Sequence, residues 1–188
     1  FAFEIARSRP RKLLTLVTKS NAQRHGMVMW DEIFEEISQD YRDITTDKML
    51  VDAMTTRMVL DPQSIDTVVA SNLHADILTD LAASLSGSMG IAPTGNLDPE
   101  KRHPSMFEPI HGSAFDIMGQ GIANPIGSFW SAVMMLENLG ELKASQRLMS
   151  AIEKLTSDKK ILPKDLGGKN STKEVTKAMI NIISGKNK

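Results

Sequence analysis

The sequence has 188 residues, of which 41% are hydrophobic and 24% are charged, a composition typical of a globular protein with one domain or two small ones. Its formal net charge is -1 and it has no cysteines, which argues against a basic surface for nucleic acid or anionic membranes and excludes disulfides and thiolate metal sites. No apolar run approaches the roughly 18 to 20 residues that cross a bilayer, so we expect a soluble, cytoplasmic protein without nucleic-acid or membrane partners.

The first half of the chain alternates strand-like and helix-like patterns. Residues 1–9 resemble the second half of an amphipathic helix, so we expect the chain to be part of a longer protein. The predicted strands are residues 13–18, 44–51 and 66–70, and the predicted helices are residues 24–40, 52–60 and 73–86. Strands that alternate with helices in this way favour an α/β protein with some parallel sheet.

The character of the sequence changes after Gly87. Residues 87–105 hold three glycines and three prolines and indicate a crossover between domains. Apolar periodicity then predicts packed helices over residues 126–139 and 142–155. A final helix is predicted to begin near Ser171 and Thr172, with Thr172 and Glu174 as a loose capping signal.

Residues 107–125, FEPIHGSAFDIMGQGIANP, form a glycine-rich segment with prolines near both ends. Glycine allows backbone conformations and close approaches that a Cβ forbids, so such a segment can bring its backbone close to a ligand. Composition alone is more typical of an ordinary surface loop. Both interpretations stay open on composition.

Four charged residues could support metal or proton chemistry. Asp76 and Asp80 are four residues apart on a predicted helix and share a face, so they could bind one hard divalent cation or be two solvated surface acids. Asp52 lies at a strand-to-helix junction, where it could cap the helix or bind a metal. Lys19 follows a strand, where lysines are solvated or, in some sites, catalytic.

Several common signatures are absent from the sequence. It has no G-x-G-x-x-G, no P-loop and no G-x-S-x-G, which leaves a Rossmann, nucleoside-triphosphate or serine-hydrolase function without its usual signature. The four histidines, at positions 25, 74, 103 and 111, show no zinc-binding spacing.

Four strings in the sequence resemble the active-site segments of one enzyme family, in the same order. They are TLVTKSN, LVDAM, SNLHADILTD, and FEPIHGSAFDI followed by GIANP. Together they resemble the decarboxylating dehydrogenases, which include isopropylmalate, isocitrate, tartrate and D-malate dehydrogenases, over about residues 1–184. Within that family TKSN, VVASNL, GIAPTGNLDPE and PSMFEP most resemble the tartrate and D-malate branch.

The resemblance implies an α/β, isopropylmalate-dehydrogenase-like two-domain fold, of which this chain is the C-terminal half. Residues 1–88 would belong to the dimer-forming, metal-binding second domain, and residues 89–188 would be the returning part of the cofactor-binding domain. The family works as a homodimer. By position, Asp76 and Asp80 would hold Mg²⁺ or Mn²⁺ from one subunit. Lys19 and Asp52 would be the catalytic residues and would come from the other subunit, with Asp52 also a ligand of the metal.

The resemblance also implies NAD as cofactor. The positions that line the dinucleotide in the family are Glu108, His111, Gly112, Ser113, Ala114 and Asn124. Asp116 would accept hydrogen bonds from the adenosine ribose hydroxyls and repel a 2′-phosphate. Asp116 and Ile117 stand where NADP-using relatives have Lys and Tyr, and this favours NAD.

The implied activity is oxidation and decarboxylation of a small 2-hydroxy dicarboxylic acid, D-malate or tartrate. The alternatives are 3-isopropylmalate as substrate and a non-catalytic subunit of the same fold. Two departures stand out: Phe115 replaces the family's proline, and His74-Ala75 replaces an aromatic-glycine pair. The family's substrate-binding arginines and catalytic tyrosine lie upstream of the region that this chain resembles, and Tyr41 does not match that tyrosine. We therefore expect these 188 residues alone to be inactive.

Overall fold

The computed structural model describes residues 1–185. They form two compact units, the first spanning Phe1–Leu85 and the second beginning at Ser86. The division falls three residues before the boundary expected after residue 88. In the described part of the chain, no helix has both the length and the apolar character that a bilayer crossing requires.

The first unit is a three-stranded parallel sheet with helices on both faces. Its elements are α1 (Ala2–Ser8), β1 (Leu13–Thr18), α2 (Gly26–Ser38), β2 (Thr45–Leu50), α3 (Val51–Leu60), β3 (Thr67–Ala70) and α4 (Asn72–Leu85). The strand order is β2-β1-β3, so the apolar strand β1 is central, and Leu14 pairs with Thr46 on one side and Thr67 on the other. The predicted α/β class with parallel strands is confirmed.

Side chains of β1 alternate between two apolar layers. Leu14 packs on Phe3, Ala6 and Ile44 beneath α1. Val17 has the opposite parity along the strand and packs on the other side, in a cluster with Met54, Met58 and Leu78 from α3 and α4. Leu14 and Val17 are completely buried, which explains why β1 reads as an apolar run rather than an alternating one.

The second unit contains a pair of strands that the sequence pattern did not predict. β4 (Pro93–Asn96) pairs antiparallel with β5 (Met106–Pro109), and Pro93 lies opposite Pro109. Each strand has only four residues and a proline at one end, so neither shows the alternation that predicts a strand. The segment 87–105, expected as a crossover, therefore contains β4 and a short 3-10 turn at Met89–Ile91.

Three helices complete the described part of the second unit, up to residue 185: α5 (Ile126–Asn138), α6 (Leu142–Asp158) and α7 (Thr172–Ile183). α5 packs against the β4–β5 pair and against α6, while α7 packs on α6. The buried core that joins the helices comprises Ile126, Val133, Ala151, Ile152, Leu155, Val175 and Met179.

Most helix ends lie within two residues of the sequence prediction, and three differences bear on the prediction of helix ends or caps. α6 continues to Asp158 rather than to residue 155 and ends where Lys159 takes a left-handed conformation. α7 is capped by Ser171, not Thr172: the Ser171 hydroxyl and the Glu174 side chain form a reciprocal capping box. α3 begins at Val51 after Leu50, so Asp52 lies within the first turn and is not the N-cap.

Candidate active site

Lys19 and Asp52 meet at the carboxyl edge of the parallel sheet. Lys19 directly follows β1, and Asp52 lies two residues after β2 in the first turn of α3. Because the parallel register pairs Thr18 with Leu50, both side chains leave the sheet at the same edge. Lys19 Nζ donates a hydrogen bond of 2.6 Å to Asp52 Oδ1. The structure thus brings the two predicted catalytic residues together within one chain.

The surroundings of the pair favour the charged form of Asp52. The hydrogen bond from the Lys19 ammonium, supported by backbone amides at the start of α3, lowers the pKa of the Asp52 carboxyl below its ordinary value. The Asp52 side chain is 67% exposed, whereas that of Lys19 is 26% exposed. The ion pair therefore leaves an ionised carboxylate accessible from solvent.

Asp76 and Asp80 lie on α4, which starts two residues after the end of β3. Both side chains are exposed, while Leu78 between them is buried beneath the helix. The neighbouring Thr79 and Ser84 hydroxyls donate to the backbone carbonyls of Asp76 and Asp80. Among the described residues, neither carboxylate has a hydrogen-bond or ion-pair partner. Two such carboxylates one helical turn apart suit a hard divalent cation.

A complete three-ligand metal site is not assembled within residues 1–185 of one chain: no group of three or more His, Asp or Glu side chains there could hold an ion. Asp52 is paired with Lys19 and does not join Asp76 and Asp80. The donor chemistry of Asp76 and Asp80 fits Mg²⁺ or Mn²⁺. The supply of Asp52 by a second copy stays a prediction.

A large cavity of about 1050 Å³ lies in the second unit. Six of the eight residues predicted to bind the cofactor line it: His111, Gly112, Ser113, Ala114, Ile117 and Asn124. Glu108, on β5, and Asp116 are exposed and are not among the lining residues. The cavity has a volume typical of sites for cofactor-sized ligands.

The loop that forms this cavity has an unusual backbone. Ala114 has φ 44°, in the left-handed region, and the next three residues form a 3-10 turn. Gly119 and Gly121 also have positive φ. Thr172, at the start of α7, holds the loop through two hydrogen bonds. Its amide donates to Gly121 O at 2.8 Å, and its hydroxyl donates to Ala123 O at 2.5 Å.

Phe115 and His74, the two departures from the family pattern, have different surroundings. Phe115 is 77% exposed, and a proline in its place would disfavour the left-handed conformation of Ala114. His74 is buried beneath α4, and its Nδ1 has no hydrogen-bond partner among the described residues. Phe115 therefore permits the observed loop conformation.

Sequence reasoning missed Ser88, Lys164, Asp165 and Thr172, which also line the cavity. Asp165 accepts hydrogen bonds from Asn124 and Ser88, which are 41 and 77 residues away along the chain. Its only local signal is the string DLGG, where a glycine pair indicates a turn.

Comparisons with known proteins agree over nearly the whole chain. The isocitrate/isopropylmalate dehydrogenase family model matches residues 1–182. A probable tartrate dehydrogenase/decarboxylase of Agrobacterium vitis is 65% identical over 187 residues, which are 100% of this chain and 52% of that protein. The D-malate dehydrogenase [decarboxylating] of Escherichia coli K12 is 45% identical over 97% of this chain and 52% of its own length.

Solved structures give the same result. An isocitrate dehydrogenase from Methylococcus capsulatus matches with a TM-score of 0.92 and 37% identity, over 97% of this chain and 53% of that one. A β-decarboxylating dehydrogenase from Thermococcus kodakarensis matches with a TM-score of 0.82 and 34% identity, over 98% of this chain and 53% of that one. The chain spans about half the length of the curated relatives it matches. This chain belongs to the isocitrate/isopropylmalate dehydrogenase family of decarboxylating dehydrogenases.

Proposed function

We propose that this chain carries the metal-binding and dinucleotide-binding parts of an NAD- and divalent-metal-dependent dehydrogenase that decarboxylates D-malate or tartrate. The observation that carries the proposal is the Lys19–Asp52 pair, at the edge of the sheet from which α4 also leaves with two unpartnered carboxylates. Relatives named tartrate dehydrogenase/decarboxylase and D-malate dehydrogenase, 65% and 45% identical, support this substrate class.

In the proposed reaction, three aspartates would bind the metal and a lysine would take up the proton. Asp76 and Asp80 hold Mg²⁺ or Mn²⁺, with Asp52 supplied by a second copy of the chain in a homodimer. When bound, the metal supplies Lewis acidity and NAD supplies the hydride acceptor. Lys19, as the neutral amine, would receive or relay the proton that the substrate hydroxyl loses on oxidation, and Asp52 would hold the resulting ammonium through the 2.6 Å hydrogen bond that the pair forms here.

The metal assignment is tested by titrating Mn²⁺ into the chain and its Asp76→Asn and Asp80→Asn variants by calorimetry. Each variant removes one charge without changing side-chain shape, so Mn²⁺ affinity should fall by at least about tenfold. Asp158→Asn, at the end of α6, is the matched control and should bind as the original chain does. Unchanged Mn²⁺ affinity in both α4 variants would favour the alternative that the chain belongs to a non-catalytic subunit of the same fold.

The cofactor assignment is tested by comparing NAD and NADP binding. If Asp116 repels a 2′-phosphate, the original chain binds NAD more tightly than NADP. Asp116→Ala should then reduce this difference in affinity by improving NADP binding. Tight NADP binding to the original chain would contradict the assignment. We also expect no D-malate turnover by the 188 residues alone with NAD and Mn²⁺; measurable reduction of NAD would refute that expectation.

A further inference from the structure

One carboxylate oxygen joins two separate walls of the cavity. Asp165 lies in the 3-10 turn Lys164–Leu166 that follows α6. Its Oδ2 accepts a hydrogen bond of 2.8 Å from Asn124 Nδ2 and another from the Ser88 hydroxyl. Asn124 precedes α5 and Ser88 precedes β4, so three segments far apart in sequence meet at this oxygen.

Each of the two donor side chains also accepts a hydrogen bond from a backbone amide. Asn124 Oδ1 accepts from the Ile126 amide at 2.9 Å, which fixes the entry into α5. Ser88 Oγ accepts from the Gly90 amide at 2.9 Å, which fixes the turn before β4. Both ends of the Asn124 amide group thus have partners within the protein, so this residue supports the cavity chiefly by holding its own backbone in place.

The carboxylate lies close against the backbone of Gly90. A Cβ added at Gly90 would lie 2.6 Å from Asp165 Oδ2 and 3.0 Å from Asn124 Cβ. The turn that bears Asp165 is closed by hydrogen bonds between Leu162 and Asn170, of 3.0 Å from the Asn170 amide and 3.1 Å to its side-chain oxygen. Within that turn Gly168 lies so close to the Leu162 carbonyl that a Cβ would overlap it.

We propose that Asp165 is a positioning residue of the dinucleotide cavity, which holds Asn124 and Ser88 and thereby shapes the loop that receives the cofactor. The inference rests on the proposed function for the identity of the ligand. The required property of Asp165 is an acceptor oxygen at Oδ2, not a negative charge, because both of its partners are uncharged donors.

The test compares Asp165→Ala with Asp165→Asn. An asparagine side-chain oxygen can accept both hydrogen bonds, whereas alanine removes the protein acceptor that Asn124 and Ser88 share. NAD binding by calorimetry should weaken about tenfold to a hundredfold in Asp165→Ala and stay within about threefold in Asp165→Asn. Equal losses in the two variants would overturn the proposal, because they would indicate a role for the charge.

Hydrogen exchange tests the same claim without any ligand. Amide protection at Ile126 and Gly90 should fall in Asp165→Ala and be retained in Asp165→Asn. Gly90→Ala should disturb both amides as well, while Gly26→Ala, where a Cβ meets nothing within 4 Å, is the control. Unchanged protection in Asp165→Ala overturns the positioning role. If the original chain binds no NAD, the proposed function fails, and exchange still decides the role of Asp165.

Discussion

Replacing Ala114 by glycine should stabilise the second unit, although it removes a side chain. Ala114 has φ 44° and ψ 59°, a left-handed conformation that brings Cβ too close to the following carbonyl oxygen. The residue is exposed, so the substitution removes no buried contact. The same loop lines the cavity, so the strain lies where a ligand is expected to bind.

The magnitude follows from two opposing effects. The left-handed conformation costs an L-residue about 1–2 kcal/mol, and glycine avoids this cost. Glycine loses more conformational freedom on folding than alanine does, by about 0.5–1 kcal/mol. The net gain in the free energy of unfolding is therefore between about 0 and 1.5 kcal/mol, and its midpoint of about 0.75 kcal/mol raises the melting temperature of a unit of this size by roughly 3–6 °C.

Differential scanning calorimetry of Ala114→Gly and the original chain measures this change. Ala92→Gly is the matched control: Ala92 has φ -78° and ψ 126°, so glycine relieves nothing there and should lower stability by about 0.5–1 kcal/mol. A second arm, Phe115→Pro, should destabilise the unit by disfavouring the conformation of Ala114. If Ala114→Gly lowers the melting temperature as Ala92→Gly does, the reasoning from strain is refuted.

Two further predictions concern ion pairing and helix capping. Arg7 donates two hydrogen bonds to Asp43 and lowers the pKa of that carboxyl from 3.8 to about 2. A lowered pKa contributes stability above pH 3.8 that is lost as the pH falls toward 2. In urea unfolding, the free energies of unfolding of Asp43→Asn and the original chain should therefore differ most above pH 3.8 and least near pH 2. A difference that does not depend on pH would contradict this prediction. Ser171→Ala removes the capping box of α7 and should cost about 1 kcal/mol in urea unfolding, whereas Ser184→Ala, at the other end of the helix, should cost little.

Periodicity predicted the helices and parallel strands because their signal is local. Strand β1 spans the predicted residues 13–18, since all its side chains are apolar or β-branched and those of residues 14–18 are buried. The β4–β5 pair was missed because its pairing joins residues 10 or more positions apart, and four-residue strands with terminal prolines carry no alternation. Local pattern cannot show a pairing of that kind.

In the candidate site, too, residues with a local sequence signal could be placed and residues with long-range partners could not. Lys19 and Asp52 could be placed on one sheet edge, because each follows a predicted strand and carboxyl ends of neighbouring parallel strands meet. Asp165 could not be placed, because its partners Asn124 and Ser88 are defined only once β4, α5 and the turn after α6 come together. The order of the four strings predicted the family, but not which side chains support one another.

The overlap that a Cβ at position 168 would make with the Leu162 carbonyl has a genetic consequence. Every missense change at codon 168 adds a Cβ, whichever base is altered, so the turn that bears Asp165 tolerates no other amino acid at this position. In a library of all single substitutions selected for dinucleotide binding, position 168 should retain glycine alone, while Gly26, whose added Cβ meets only open space, should accept many residues. Loss of that one glycine would mark a gene copy that no longer encodes a working cavity.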